Sequence, residues 1–307
     1  MDSAGISVRQ GPVTAGKLLR AMRAFSLPVS VGPVFVAVAA ALPVSQWDWL
    51  VLAASAAGAG LLHLGGNLLN DYFDFKSGVD RRTEDDELRP GRLLVHGQLL
   101  ARDVLIEGVP CLLLAACIAA LLCWRCGMGI AWFGLAGAAG AYFYTGLPFK
   151  LKYRRMGEVV IFLVFGPLLL VGAAWAQTRE LALCLPAFLA SIPIGLATTA
   201  VLVGNNFRDH EEDASAGIRT LGGLAGGRVA QAVYIALVIA APLGLAGIGA
   251  CGAGPRGLLA APLALLLMVK PLRATWTGRR VPDIDVQTAR FETALLVLAF
   301  AAYVVRW

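Results

Sequence analysis

Charge-free apolar stretches follow one another along the chain. Ala24–Trp47, Trp49–Asn70, Cys126–Phe149, Val159–Thr178, Leu181–Phe207 and Val229–Pro255 hold no Asp, Glu, Lys or Arg. About 20 apolar residues cross a bilayer as a helix. Inside lipid the segment must satisfy its own backbone N–H and C=O groups, which a helix does. The pattern predicts nine spans, at 24–45, 49–72, 104–124, 128–147, 159–177, 183–207, 229–249, 253–270 and 290–306. The last two have short charge-free cores, Gly257–Val269 and Thr293–Val305. Gly252, Gly254 and Pro255 supply a turn between 229–249 and 253–270. The predicted class is an all-α polytopic membrane protein with a single domain over 1–307 and a polar segment over 1–20.

Composition agrees. Of 307 residues, 58% are apolar and 15% charged, against roughly a quarter charged in soluble domains. A soluble fold, a disordered chain and a β-barrel are excluded. With the N-terminus in the cytoplasm, 22 of the 26 Lys and Arg fall on the inner side. Only Arg125, Arg179, Arg256 and Arg306 lie outside. This asymmetry sets the orientation. It also accounts for the net charge of +6, so no nucleic-acid partner is implied; the partner is the lipid bilayer. No cleavable signal peptide or transit-like presequence is expected, which suggests a prokaryotic cytoplasmic membrane. The sequence carries no signal for an oligomeric state. Most of the six cysteines lie within spans and read as small packing residues. Cys123 and Cys126 form a CxxC at the outer edge, without further ligands in sequence.

Chemistry in such a chain shows as polar residues at span ends. One cluster closes the second span: Asn67, Asn70, Asp71, Asp74, Lys76 and Asp80. The other closes the sixth: Asn205, Asn206, Arg208, Asp209, His210, Glu211, Glu212 and Asp213. Asn70 and Asp74 are i, i+4 and share a helix face, as do Asn67 and Asp71, and Asn205, Asp209 and Asp213. Acidic runs such as Thr83–Glu87 and Glu211-Glu212 read as solvated loop. The paired rows do not, because they begin inside apolar helices. Two oxygen rows face to face would suit Mg²⁺, which shares its shell between a few carboxylates and substrate phosphates. Asn70 and Asn205 lie 135 residues and four spans apart. An even number of crossings keeps the two helices parallel, so both motifs reach one face. The chain therefore reads as two four-helix halves plus a ninth helix. Arg89, Arg92, Lys150, Lys152 and Arg208 lie near the motifs in sequence. Cations mixed with carboxylates point to a phosphate-bearing ligand.

These motifs resemble those of the UbiA-type intramembrane prenyltransferases. That family carries Asn-xxx-Asp-xxx-Asp after the second helix and Asp-xxx-Asp after the sixth. Asn70-xxx-Asp74 and Asp209-xxx-Asp213 match. Within the family the chain looks most like the 1,4-dihydroxy-2-naphthoate prenyltransferases of menaquinone synthesis and their animal relatives. The stretches that carry this are Arg23–Pro28, Asn67–Asp80, Tyr144–Gly146 with Lys152-Tyr153 and Gly157-Glu158, and Asn205–Asp213 continuing to Gly217–Leu221. Gly78 stands where the general first motif has its third acid, with Asp80 two residues on, as in the naphthoate branch. Arg89-Pro90 is instead similar to the hydroxybenzoate branch.

The resemblance implies transfer of a prenyl group from a polyprenyl diphosphate to an aromatic acceptor, with Mg²⁺ as cofactor. Asn70, Asp74, Asp209 and Asp213 would hold the metal, with Asn67, Asp71 and Asn205 extending the shell. Arg89, Lys152 and Arg208 would bind diphosphate. Arg23, Tyr72, Tyr142, Tyr144 and His210 would form the pocket for the allylic cation or the acceptor, with Phe73 a further aromatic candidate. Rival acceptors are 4-hydroxybenzoate, homogentisate, a chlorophyllide, haem and a glycerol phosphate lipid. A terpene cyclase of the same fold would have no acceptor. A transporter would place its polar site near the bilayer midplane, at broken helices, whereas these motifs sit at one face.

Overall fold

The computed structural model describes residues 11–78, 93–208, 228–279 and 281–306; for Phe207 and Arg208 it describes the backbone alone. Helices α1 (Ala15–Ala21), α2 (Leu27–Ala41), α3 (Trp49–Ser77), α4 (Ala101–Cys126) and α5 (Gly129–Thr145) come first. Then come α6 (Gly157–Leu163), α7 (Leu169–Thr178), α8 (Leu185–Arg208), α9 (Arg228–Ala250), α10 (Val269–Trp276) and α11 (Ile284–Val305). Among the described residues there is no strand. Among the same residues, eight segments are long and apolar enough to cross a membrane. The 17-residue α5 packs among them against α3 and α4 and stands where the fourth span is predicted.

Each predicted span has a helix, and the differences are local. The second span runs on to Ser77, so Asp74 and Lys76 are helical. Gly78 then ends α3 at φ 70, a left-handed conformation that glycine adopts without strain. Gly78 is thus a helix stop. The fifth span is broken between α6 and α7 by a π turn over Val164–Leu168. Pro167 cannot continue an α-helical ladder there. The eighth span is a 3-10 helix, Arg256–Met268, leading into α10. Its buried Leu258, Ala261 and Ala264 recur every three residues, the period at which 3-10 side chains eclipse. The ninth begins at Ile284, six residues before the predicted 290. Charge misplaced that edge. Glu292 is fully buried, and Thr198 Oγ1 donates to its Oε1 at 2.5 Å.

The bundle is dense on one side and hollow on the other. Its main core joins α2, α7, α8, α9, the 3-10 helix and α11. Small residues such as Ala37, Ala174, Ala197, Ala241 and Ala299 let these backbones approach. The ninth helix, α11, closes this core against α2, α8 and the 3-10 helix. By contrast α4 and α5 present Leu113, Trp124, Trp132 and Leu135 outward, as a lipid-facing surface does. The predicted outer end is clamped. Arg125 donates to Asp48 Oδ2 through Nη2 at 2.8 Å, and Gln177 exchanges two hydrogen bonds with the Asp48 backbone.

Helix α8 crosses close to the π turn. A Cβ on Gly195 would lie 3.1 Å from Phe162 O and 3.2 Å from Gly166 Cα. Backbone cannot rotate aside as a side chain can. Gly195→Val is expected to cost about 1–3 kcal/mol, the range for overpacked cores. Thermal unfolding in detergent checks this, and an unchanged midpoint would contradict it.

Candidate active site

A cavity of about 1060 Å³ lies between α2, α3, α4, α5, the α6–α7 segment and α8. Most of its wall is apolar, with Leu62, Ala119, Phe165 and Leu168 among the lining residues. One end is polar. There the last turns of α3 face the entry to α2, the α5–α6 connection and the end of α8. An outer groove of about 850 Å³ shares Phe133, Gly140, Val160, Val164 and Leu168 with the cavity wall. These five residues form the wall that the cavity and the outer groove share.

The i, i+4 spacing does what helical geometry requires. Asn67, Asn70, Asp71 and Asp74 all line the cavity. Asp71 and Asp74 are buried at its polar end. Arg23 donates to Asp71 Oδ1 at 2.6 Å. Lys152 donates to Asp74 Oδ2 at 2.7 Å, and the Tyr153 hydroxyl donates to Asp74 Oδ1. The chain bends to deliver these cations. Arg23 takes a left-handed backbone (φ 53) just before the Ala24–Ser26 turn. Lys150 (φ 47) and Arg155 (φ 61) bracket the short 3-10 turn that carries Lys152. Burial by itself lowers the pKa of the Lys152 ammonium, but the Asp74 carboxylate outweighs it, and the pKa lies above the usual lysine range. Burial first, and Asp74 second, also raise the Tyr153 phenol.

Asn70 carries the clearest mark of a missing ligand. Its Oδ1 is buried and has no hydrogen-bond partner among the described residues. Buried polar atoms are rarely left so. An amide oxygen beside carboxylates is a donor set for a hard cation. The residues present therefore fit Mg²⁺. Among the described residues, no three His, Cys, Asp or Glu side chains gather as a metal site. Asp209, His210 and Asp213 of the second motif, and Arg89, lie outside the described residues. So does the Arg208 side chain. The second motif enters the cavity through Asn205 and Asn206.

Tyr142 and Tyr144 line the cavity as expected. Tyr72 does not. At i+2 from Asn70 it points away, packs beside the buried cluster around Leu68 and Leu93, and lies under Lys76 at 5.8 Å. Phe73 is likewise not among the lining residues and packs edge-on against Tyr142. Four residues at or beside the cavity were given no site role by the sequence. Ser26 and His63 line it and bond each other at 2.9 Å. The buried Glu158 accepts from Asn206 Nδ2 at 3.0 Å. Tyr153 is tied to Asp74 as described. Ser26, Tyr153 and Glu158 lie in stretches that carry the resemblance, and His63 lies one turn before Asn67 on the same face.

Fold and site together define an integral, multi-pass membrane protein with a largely apolar chamber and an acidic and basic mouth. The sequence profile of the UbiA prenyltransferase family matches residues 30–303, and the chain belongs to that family of intramembrane prenyltransferases. It is 33% identical over 279 residues to zebrafish UbiA prenyltransferase domain-containing protein 1, covering 88% of this chain and 78% of the relative. The human protein of that name is 32% identical over 222 residues, covering 71% of this chain and 63% of the relative. The fold is similar to a UbiA homolog from Archaeoglobus fulgidus bound to GPP and Mg²⁺, with TM-score 0.68 at 15% identity over 94% of this chain and 99% of that one. An apo UbiA homolog from Aeropyrum pernix K1 gives TM-score 0.68 at 19% identity over 96% and 99%. The two relatives matched by sequence are animal proteins, and they give no support to the prokaryotic cytoplasmic membrane suggested by the N-terminal sequence.

Proposed function

We propose that this chain transfers a polyprenyl group from polyprenyl diphosphate to an aromatic ring, with 1,4-dihydroxy-2-naphthoate as acceptor in menaquinone synthesis. The observation that carries this is the shape of the cavity: oxygen ligands and two cations at one end of a long apolar chamber. The diphosphate takes the polar end and the prenyl chain the apolar body. Mg²⁺ held by Asn70 and Asp74, with Asp209 and Asp213 of the second motif, would supply charge neutralisation to the departing diphosphate. Asp71, Asn67 and Asn205 border that position. Lys152 and Arg23 stand within reach to exchange carboxylate for phosphate oxygens, and Arg89 and Arg208 follow in sequence. Tyr142 and Tyr144 offer ring faces to an allylic cation. The apolar lining disfavours water beside it. The shared wall with the outer groove supports a lipid-side route for the chain. The excess of Lys and Arg at the motif end supports a site that opens to the cytoplasm.

The test uses detergent-purified protein, Mg²⁺, a long-chain prenyl diphosphate and either 1,4-dihydroxy-2-naphthoate or 4-hydroxybenzoate, with products identified by mass. The expected product is the prenylated, decarboxylated naphthoquinol. Chelation with EDTA should stop turnover, and added Mg²⁺ should restore it. Product from hydroxybenzoate alone would overturn the acceptor assignment. Diphosphate release without either product would overturn the aromatic acceptor.

A further inference from the structure

His63 sits deeper in the chamber than the acidic end, one helical turn from Asn67 and two from Asn70 along α3. By helix rise that is about 10 Å from Asn70 along the axis. This is where the reacting end of a prenyl chain passes from the polar mouth into the apolar body. The ring is held on two sides. Its Nε2 lies 2.9 Å from Ser26 Oγ, and its face meets Phe165 edge-on at 5.4 Å between centroids.

The hydrogen-bond network settles the tautomer. The Ser26 hydroxyl has one hydrogen, and it donates that hydrogen to the Arg23 carbonyl at 2.7 Å. Towards His63 it can only accept. His63 is therefore protonated on Nε2, and Nδ1 presents a bare lone pair. That Nδ1 is buried and has no partner among the described residues. A histidine buried only for packing would normally satisfy both nitrogens. Here one is spent on orientation, and the other has no partner although the residue lines the chamber.

We infer that His63 Nδ1 accepts a hydrogen bond from the ring hydroxyl of the aromatic acceptor and carries that proton while the new carbon–carbon bond forms. This rests on the proposed function. The chemistry balances. The allylic C–O bond breaks and its electron pair leaves with diphosphate. A ring carbon next to the hydroxyl-bearing carbon supplies the pair for the new bond. As positive charge develops on that oxygen, its proton moves to Nδ1 and leaves a ketone. The carboxylate then departs as CO₂, its bonding pair restores the aromatic ring, and the oxygen takes the proton back. No further reactant is needed. His63 is then a catalytic residue, and Ser26 positions it.

The experiment compares wild type with His63→Phe on the free naphthoate acceptor and on its hydroxyl methyl ethers, in detergent with Mg²⁺. General-base catalysis contributes about 10²–10⁴-fold, so kcat for His63→Phe should fall by at least about 10²-fold. KM for the prenyl diphosphate should stay within about threefold, because the diphosphate end is untouched. Methylating the held hydroxyl should cost the wild type at least about tenfold more than it costs His63→Phe, the mark of two groups that interact. His63→Asn, which returns an acceptor but no base, should recover the KM for the acceptor without the kcat. The inference is overturned if His63→Phe or His63→Asn keeps kcat within about threefold of wild type. It is also overturned if prenyl diphosphate affinity falls in step with kcat, or if methylation costs both proteins alike. Wild type that prenylates no aromatic ring would instead overturn the proposed function, and this inference with it.

Discussion

Asp74→Asn is expected to lower prenyl transfer by about 10²–10³-fold, the usual cost of losing one preorganised electrostatic contact at a developing charge. Asp74 has three demands on two oxygens. Lys152 and Tyr153 bond it in this state, and the cation that the Asn70 amide awaits needs it when substrate binds. An amide side chain keeps one oxygen, enough for Lys152 or Tyr153, and leaves the Lys152 charge without its counter-ion. It also loses the negative charge that a divalent ion requires. The variant should therefore unfold below the wild-type temperature, and turnover is read on monodisperse protein well below its unfolding midpoint. Its turnover with saturating prenyl diphosphate and naphthoate is the quantity to measure. Turnover within about threefold of wild type would remove Asp74 from the metal role.

Lys152→Met should act mainly on stability. The Asp74 side chain is 5% exposed and its Lys152 partner 21%. Removing one member of a buried pair leaves the other charge unpaired, which costs about 3–5 kcal/mol. Replacing both members is often neutral. Lys152→Met alone should thus lower the unfolding temperature in detergent, and Asp74→Asn with Lys152→Met should recover most of the loss. Both proteins should also lose activity, since the diphosphate loses one of its two cations in each. If the two changes simply add, the pair is not coupled and the 2.7 Å contact contributes little.

The structure also shows why charge is a poor ruler for some span edges. Asp285 and Glu292 lie within α11, and Glu292 is sealed in the core by Thr198. Read along the chain, a carboxyl is a water-facing residue. Its partner lies 94 positions away, and nothing in a local window reports it. The α6–α7 break was half legible in the same way. Gly166-Pro167 is visible as a pair, but the approach of Gly195 that accompanies the bend is not.

Much about this protein was determined by sequence alone, because the bilayer makes hydrophobicity nearly binary. Apolar runs of helical length had to be helices, and all nine predicted spans have one. The same helical period places Asn67, Asn70, Asp71 and Asp74 towards a common side. Distant pairing was decided only by tertiary structure. Arg23 meets Asp71 across 48 residues, Lys152 meets Asp74 across 78, and Ser26 meets His63 across 37. These contacts depend on how helices pack, and helix packing depends on small residues whose neighbours a sequence does not name. Tyr72 shows the limit most plainly. It sits inside the motif and has the right chemistry, yet two residues of helical rotation turn it away from the chamber.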